Sequence, residues 1–303
     1  MKKIVYSLVI LLGLSASAQQ EPQYTQYMYN PLVINPGYAG SLGYGSLFSL
    51  YRTQWIGLEG APKTLNLSYH QPLENTNLGL GGNIVHDEIG PSTTTNLGID
   101  VSYTIRFENE SRLAFGIKAG GQLLNIDYTK LNHYNPSDVS FRNNIANQFS
   151  PNIGVGLFYY NENSYLGLSV PMLLETKSYD EFAYSDVNRR QHFYLAGGKV
   201  FDLTYNLKFK PAFVAKMVAG APLQVDLTGN FLINEKFTVG LAYRWSAALS
   251  ALVGFKVSDR LAIGYGYDRE TTRLSNFNSG SHELFLQFDL FKINQHIETP
   301  RFF

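Results

Sequence analysis

From Leu97 the odd positions Leu97, Ile99, Val101, Tyr103 and Ile105 are apolar, and the even ones, Gly98, Asp100, Ser102, Thr104 and Arg106, are small or polar. The same alternation recurs in Leu207, Phe209 and Phe213 against Lys208, Lys210 and Lys216. It recurs again in Leu223, Val225, Leu227 and Phe231 against Gln224, Asp226, Thr228 and Asn230. A period of two gives a strand unlike surroundings on its two faces. About fourteen such segments can be drawn, over roughly 44–55, 63–72, 77–87, 93–107, 112–127, 151–160, 164–173, 191–201, 205–217, 222–233, 236–245, 247–257, 260–269 and 281–292. Many reach ten residues, long for a soluble sheet and right for a strand tilted across a bilayer.

Every second connection is short and turn-like: Glu74-Asn75-Thr76, Glu108-Asn109-Glu110, Asn161-Glu162-Asn163, Asp202-Leu203-Thr204, Asn234-Glu235 and Ser258-Asp259. The others vary more and include Thr129 to Ser150, Leu174 to Arg190 and Glu270 to Gly280. Short turns at one end and longer loops at the other, with an even strand count, predict an all-β chain. The expected fold is a closed antiparallel transmembrane β-barrel of about fourteen strands, with periplasmic turns and extracellular loops. Closure is required because lipid offers no partner to a free backbone N–H or C=O. Tyr103, Tyr159, Tyr243, Trp245, Tyr265 and Tyr267 are expected in the interfacial girdles. Asp100, Arg106, Lys118, Lys208, Lys210, Asp226, Arg244, Lys256, Asp268, Glu283 and Asp289 are expected on the inner wall.

Composition agrees. Charged residues are 16% of the chain, against about 25% in an ordinary soluble domain, and aromatics are 14%. Equal numbers of basic and acidic residues, 24 of each, argue against a nucleic-acid partner. The absence of Cys removes disulfides, thiolate metal sites and a cysteine nucleophile. Lys2 and Lys3, an apolar run from Ile4 to Leu14, and Ala16-Ser17-Ala18 read as a cleaved signal peptide, too short to span a bilayer. The expected organisation is a signal peptide over 1–18, a periplasmic or plug segment over 19–43, the barrel over 44–292 and a periplasmic tail over 293–303, located in a Gram-negative outer membrane.

The stretch before the first strand is neither strand nor helix. Asn30-Pro31 and Asn35-Pro36 favour turns, because the residue before Pro is pushed out of the helical region. Tyr24, Tyr27, Met28, Tyr29 and Tyr38 make it too apolar for a free linker, so it should pack on the barrel, with the periplasmic mouth nearest. Gln26-Tyr-Met-Tyr-Asn-Pro-Leu-Val-Ile-Asn-Pro-Gly-Tyr-Ala-Gly-Ser41 resembles the start of the PorP/SprF family. Tyr51-Arg-Thr-Gln-Trp55, Gly60-Ala-Pro-Lys-Thr64 and the ending Pro300-Arg-Phe-Phe303 continue the likeness, whose middle rests on strand pattern more than identities. The resemblance implies an outer-membrane component of the Bacteroidetes type IX secretion and gliding-motility machinery. It also implies secretion or surface anchoring of a large adhesin with a C-terminal sorting domain, alongside periplasmic ring lipoproteins and peptidoglycan-binding components. The residues marked for plugging or partner contact are Gln26, Tyr27, Asn30, Pro31, Asn35, Pro36 and Tyr38, then Arg52 and Trp55 on the first strand, and Arg301 in the tail. Arg52 and Trp55, with Lys63, are candidates for an outer binding surface, since Arg and Trp are common interface anchors.

Chemistry-bearing motifs are sparse. His86-Asp87-Glu88 at an outer strand end could take a cation, or be a solvated strand end. His133, Ser137 and Asp138 in the longest loop suggest a hydrolase only if geometry unites them. Gly79-Leu-Gly-Gly82, Gly154-Val-Gly156 and Gly264-Tyr-Gly266 lack the following helix of a nucleotide loop. As inward glycines they let a strand bend or make room for an inserted segment. No catalytic residue, cofactor or metal is expected. The competing reading is a plugged channel for small or hydrophobic solutes; a third is an outer-membrane lipase or protease.

Overall fold

Fourteen strands form one antiparallel sheet that closes on itself. The structure, a computed structural model, describes residues 24–25, 27–131, 144–174, 177–180, 183–188 and 190–290. The signal-peptide and tail expectations, Gln26, Arg301 and the His133, Ser137, Asp138 group lie outside the described residues. In chain order the strands are β1 Gly45–Thr53, β2 Lys63–Pro72, β3 Leu78–Ile89, β4 Ser92–Arg106, β5 Arg112–Ile126, β6 Ile145–Tyr160 and β7 Ser164–Val170. Then follow β8 His192–Lys199 with its continuation Phe201–Thr204, β9 Leu207–Val218, β10 Gln224–Ile233, β11 Phe237–Arg244, β12 Ala248–Lys256, β13 Leu261–Glu270 and β14 Ser281–Leu290. Each pairs with its neighbour in sequence, and β1 closes on β14 from Gly45 opposite Leu290 to Thr53 opposite His282. A separate hairpin, Lys177–Asp180 with Ala183–Asn188, lies in the loop between β7 and β8.

The alternation settles into two environments. On β4, Ile99 is 67% exposed on the outer face while its neighbour Asp100 is fully buried in the lumen. An outward belt of apolar side chains with an inward polar wall is what lipid outside and a polar interior demand. Tyr103, Tyr159, Tyr243, Trp245 and Tyr265 are all exposed, on the outward face. Ile99→Lys places a charge in the middle of that belt and is expected to cost about 2–4 kcal/mol of barrel stability. Denaturant titration of protein refolded into lipid vesicles measures this; a loss below 0.5 kcal/mol, a threshold chosen on the scale of depth-dependent lipid-face costs, would remove Ile99 from the lipid face.

Two strand boundaries differ from expectation. β8 runs on to Thr204, and the turn falls at Tyr205-Asn206 instead of Asp202-Leu203-Thr204. Phe201 and Leu203 continue the outward apolar row, and Phe201 pairs with Phe209 across the hairpin. β6 starts at Ile145, so its first residues pair with the long β5 where a loop was expected. Phe149 lies against Gly121 there, and Pro151 stands opposite that same side-chain-free position. Loop lengths are also less segregated than expected, since Gly90-Pro91 and Trp245-Ser246-Ala247 are short connections at the long-loop end. The larger loops still gather there, which makes it the outer end.

Candidate functional site

The lumen is occupied by the chain's own N-terminal segment. Three short 3-10 turns, Tyr27–Tyr29, Pro31–Val33 and Pro36–Tyr38, carry it along the barrel interior. Each Asn-Pro pair opens a turn: Pro presets the backbone angle and needs no N–H partner. Asn35 caps the third turn by accepting the Gly37 N–H at 2.9 Å, and its amide donates to the Leu157 carbonyl at 2.9 Å. One side chain thus shapes the segment and ties it to β6.

The segment's first described residues, Tyr24 and Thr25, sit at the outer end. Thr25 donates from its hydroxyl to Asp268 at 2.6 and 2.7 Å and from its backbone N–H to Glu283 at 3.1 Å. Arg52, 1% exposed, joins both carboxylates, at 2.6 Å to Asp268 and 2.9 Å to Glu283. Arg244 pairs with Asp226 at 3.1 Å and donates to the Tyr24 carbonyl at 3.2 Å. Buried ions of both signs therefore form a clamp around Tyr24 and Thr25, joined by charge and hydrogen bonds together. Midway, the Lys118 ammonium donates to the Val33 carbonyl at 3.2 Å and pairs with Asp100 at 3.5 Å. Asn30 donates to Asn66 and Ser68 at 3.0 and 2.7 Å. Ser169 donates to the Ile34 carbonyl at 2.7 Å. Nearer the turns, Ser102 donates to the Ala39 carbonyl at 2.6 Å and the Gly40 N–H donates to His70.

Apolar packing fills what the polar anchors leave. Leu32 is fully buried, Tyr29 stacks on Phe285 with ring centroids 4.9 Å apart, and Tyr38 meets Phe158 edge-on at 5.3 Å. The wall yields where the segment passes. Gly116 and Gly156 face each other on β5 and β6, and a Cβ on either would overlap Gly37 or Asn35. A Cβ on Gly79 would overlap the Ala39 carbonyl. Gly264 instead admits the Phe285 ring, and Gly154 admits Pro171 of an outer loop. Three cavities beside the segment are small, about 50 Å³ next to Tyr27 and Tyr194, about 20 Å³ next to Tyr38 and about 10 Å³ next to Asn30. They hold a few waters at most.

The sequence-marked residues thus come together only in part. Tyr27, Asn30, Pro31, Asn35, Pro36 and Tyr38 are all buried in the lumen. Arg52 is there too: the even positions of β1 point inward, which takes it off the outer surface. Trp55 stays in the outer loop after β1, where its indole N–H donates to Glu270 at 3.0 Å. The His86-Asp87-Glu88 trio is split by the strand's alternation. Asp87 is buried beside Thr64, while His86 and Glu88 form an exposed pair at 3.5 Å, so the three cannot converge on one ion. Among the described residues no group of three His, Cys, Asp or Glu is placed to hold a metal. Sequence reading missed the large inward rings of Phe158, Tyr160, Tyr165, Tyr194 and Phe285. Aromatics at both parities of Phe158-Tyr159-Tyr160 were the available sign that the interior is packed.

No protein of curated function matches the chain in sequence. Among solved barrels, the CymD monoaromatic hydrocarbon channel is similar at 10% identity and TM-score 0.49, over 92% of this chain and 96% of that one. A TodX deltaS2S3 mutant monoaromatic hydrocarbon channel gives 9% and 0.48, over 85% and 93%. KdgM porin gives 13% and 0.36, over 81% and 99%. The family model of the type IX secretion system membrane protein PorP/SprF matches residues 16–288. The chain belongs to that family.

Proposed function

We propose that this PorP/SprF-family barrel is a non-enzymatic holding and coupling component, which helps secrete or anchor a large surface adhesin with a C-terminal sorting domain. Its periplasmic face engages the ring lipoproteins and peptidoglycan-binding parts of the type IX machinery, after export by a signal peptide cleaved behind Ala18. The observation that carries this reading is the filled lumen. A segment clamped by Arg52, Asp268 and Glu283 at one end and seated on Gly79 at the other leaves protein surfaces, not a pore, as the means of action. The outer face supplies such a surface. Ile56 bonds by its backbone to Gly280 and Ser279, joining two loops, and Ile56 and Phe277 stand exposed on them.

A mild-detergent pull-down of a tagged copy from its native cell tests the proposal. An adhesin carrying a C-terminal sorting domain, recovered together with ring lipoproteins, is the expected outcome. A partnerless barrel, under conditions that keep other secretion complexes intact, would contradict it and favour the solute-channel reading.

A further inference from the structure

Arg106 and Arg112 differ from three other cations of the inner wall. Towards the outer end and in the middle, Arg52, Lys118 and Arg244 each have a carboxylate partner. At the periplasmic end, Arg106 of β4 stands directly opposite Arg112 of β5, both on the inward parity. Like charges directly opposite across a strand pair repel. Among the described residues neither forms an ion pair, and Glu74 on the same rim reaches neither. Arg112 is held in place, its guanidinium 5.8 Å from the centroid of the buried Tyr160 ring, the next residue in the same cross-strand row. The pair overlooks a vestibule of about 560 Å³. Its lining mixes the two arginines and Thr104, all on inward parity, with Pro72, and its floor is the segment's own Ala39 and Gly40.

We propose that this vestibule is a docking site for an acidic peptide segment of a periplasmic protein, with a carboxylate bound across Arg106 and Arg112. An anion between them turns the repulsion into two charge-assisted contacts, and the planar guanidinium fork suits a carboxylate. The volume lies within the range of ligand pockets and accepts a few residues of extended chain, whose apolar side chains meet Pro72. Because the floor is the lumen segment itself, a bound peptide touches the one element that also reaches the outer clamp. The source of the peptide rests on the proposed coupling to periplasmic machinery. The binding itself is measured on the isolated full chain, so a failed pull-down and a failed binding assay are separable.

The probe is an acetylated, amidated peptide of sequence Leu-Glu-Phe-Glu-Leu, titrated into the purified barrel in micelles at low salt, with its Gln-for-Glu isostere as control. The expected result is binding of the acidic peptide only, weakened about tenfold by Arg112→Gln or Arg106→Gln, as loss of one charged contact implies, and partly retained in Arg112→Lys. Heat-modifiable gel migration confirms that each variant is folded. Equal binding of the isostere, or unchanged affinity in both Gln variants, would overturn the proposal. Competition by inorganic phosphate at the peptide's own concentration would overturn the peptide in favour of a phosphate ligand. Tighter binding by a synthetic peptide of residues 292–303 would overturn the partner in favour of the chain's own tail.

Discussion

Gly116→Val is expected to drive the N-terminal segment out of the lumen and turn a silent barrel into a conducting one. The added carbons at position 116 fall on the Gly37 nitrogen and the Pro36 carbonyl carbon, backbone against backbone, so no side-chain rotation relieves the overlap. Gly156, directly opposite on β6, leaves the segment no slack on that side, because the Asn35 side chain already fills the space above it. Retaining the segment would cost roughly 1–3 kcal/mol of overpacking, and a shift of Gly37 also breaks the Asn35 cap that shapes the turn. Single-channel recording in planar bilayers should show no steps for the natural chain and discrete steps for Gly116→Val. Limited proteolysis should then cut between Tyr24 and Tyr44. Gly82→Val is the control: it lies on the opposite parity of β3 from the glycines that meet the segment, has no close neighbour, and should stay silent and resistant. Silence in both variants would mean that the segment does not close the lumen.

Arg52→Ala is expected to be the most destabilising single change at the outer clamp. It leaves Asp268 and Glu283 buried side by side without their cation, and it also loosens Thr25, which is bonded to both. Breaking a buried ion pair from one side costs about 3–5 kcal/mol, most of it from the charge left behind. The triple variant Arg52→Leu, Asp268→Asn, Glu283→Gln removes the charges together and should recover most of that loss. Denaturant midpoints in micelles give both numbers. A single variant within 1 kcal/mol of the natural chain, well inside that range, would show that the clamp contributes little.

The wall of this protein was legible in its sequence because lipid and lumen impose opposite demands on alternate residues. Ile99 and Asp100 are adjacent in the chain and opposite in environment, and β2 could be bounded at Lys63 and Pro72 from pattern and turn chemistry. The interior was less legible. The segment has no periodicity, since it touches wall on every side, and its anchors are remote: Thr25 and Asp268 lie 243 positions apart. Its apolar tyrosines and Asn-Pro turns foretold packing and bends, but not a path that reaches the outer end. Arg52 was marked as a surface anchor for the same reason. Its inward parity could be read, whereas the partners that make burial tolerable could not.

The central claim is that the N-terminal segment lies inside the barrel in the native membrane. Ala39→Cys with Gly81→Cys tests it most directly. A Cβ built on Gly81 lies 3.4 Å from the Ala39 Cβ, close to disulfide spacing, and the chain contains no other cysteine. Outer membranes prepared under oxidising conditions are treated with a high-mass maleimide before and after reduction. The expected result is no label before reduction and two labels after it. Two labels without reduction would place residue 39 away from the wall and contradict the account.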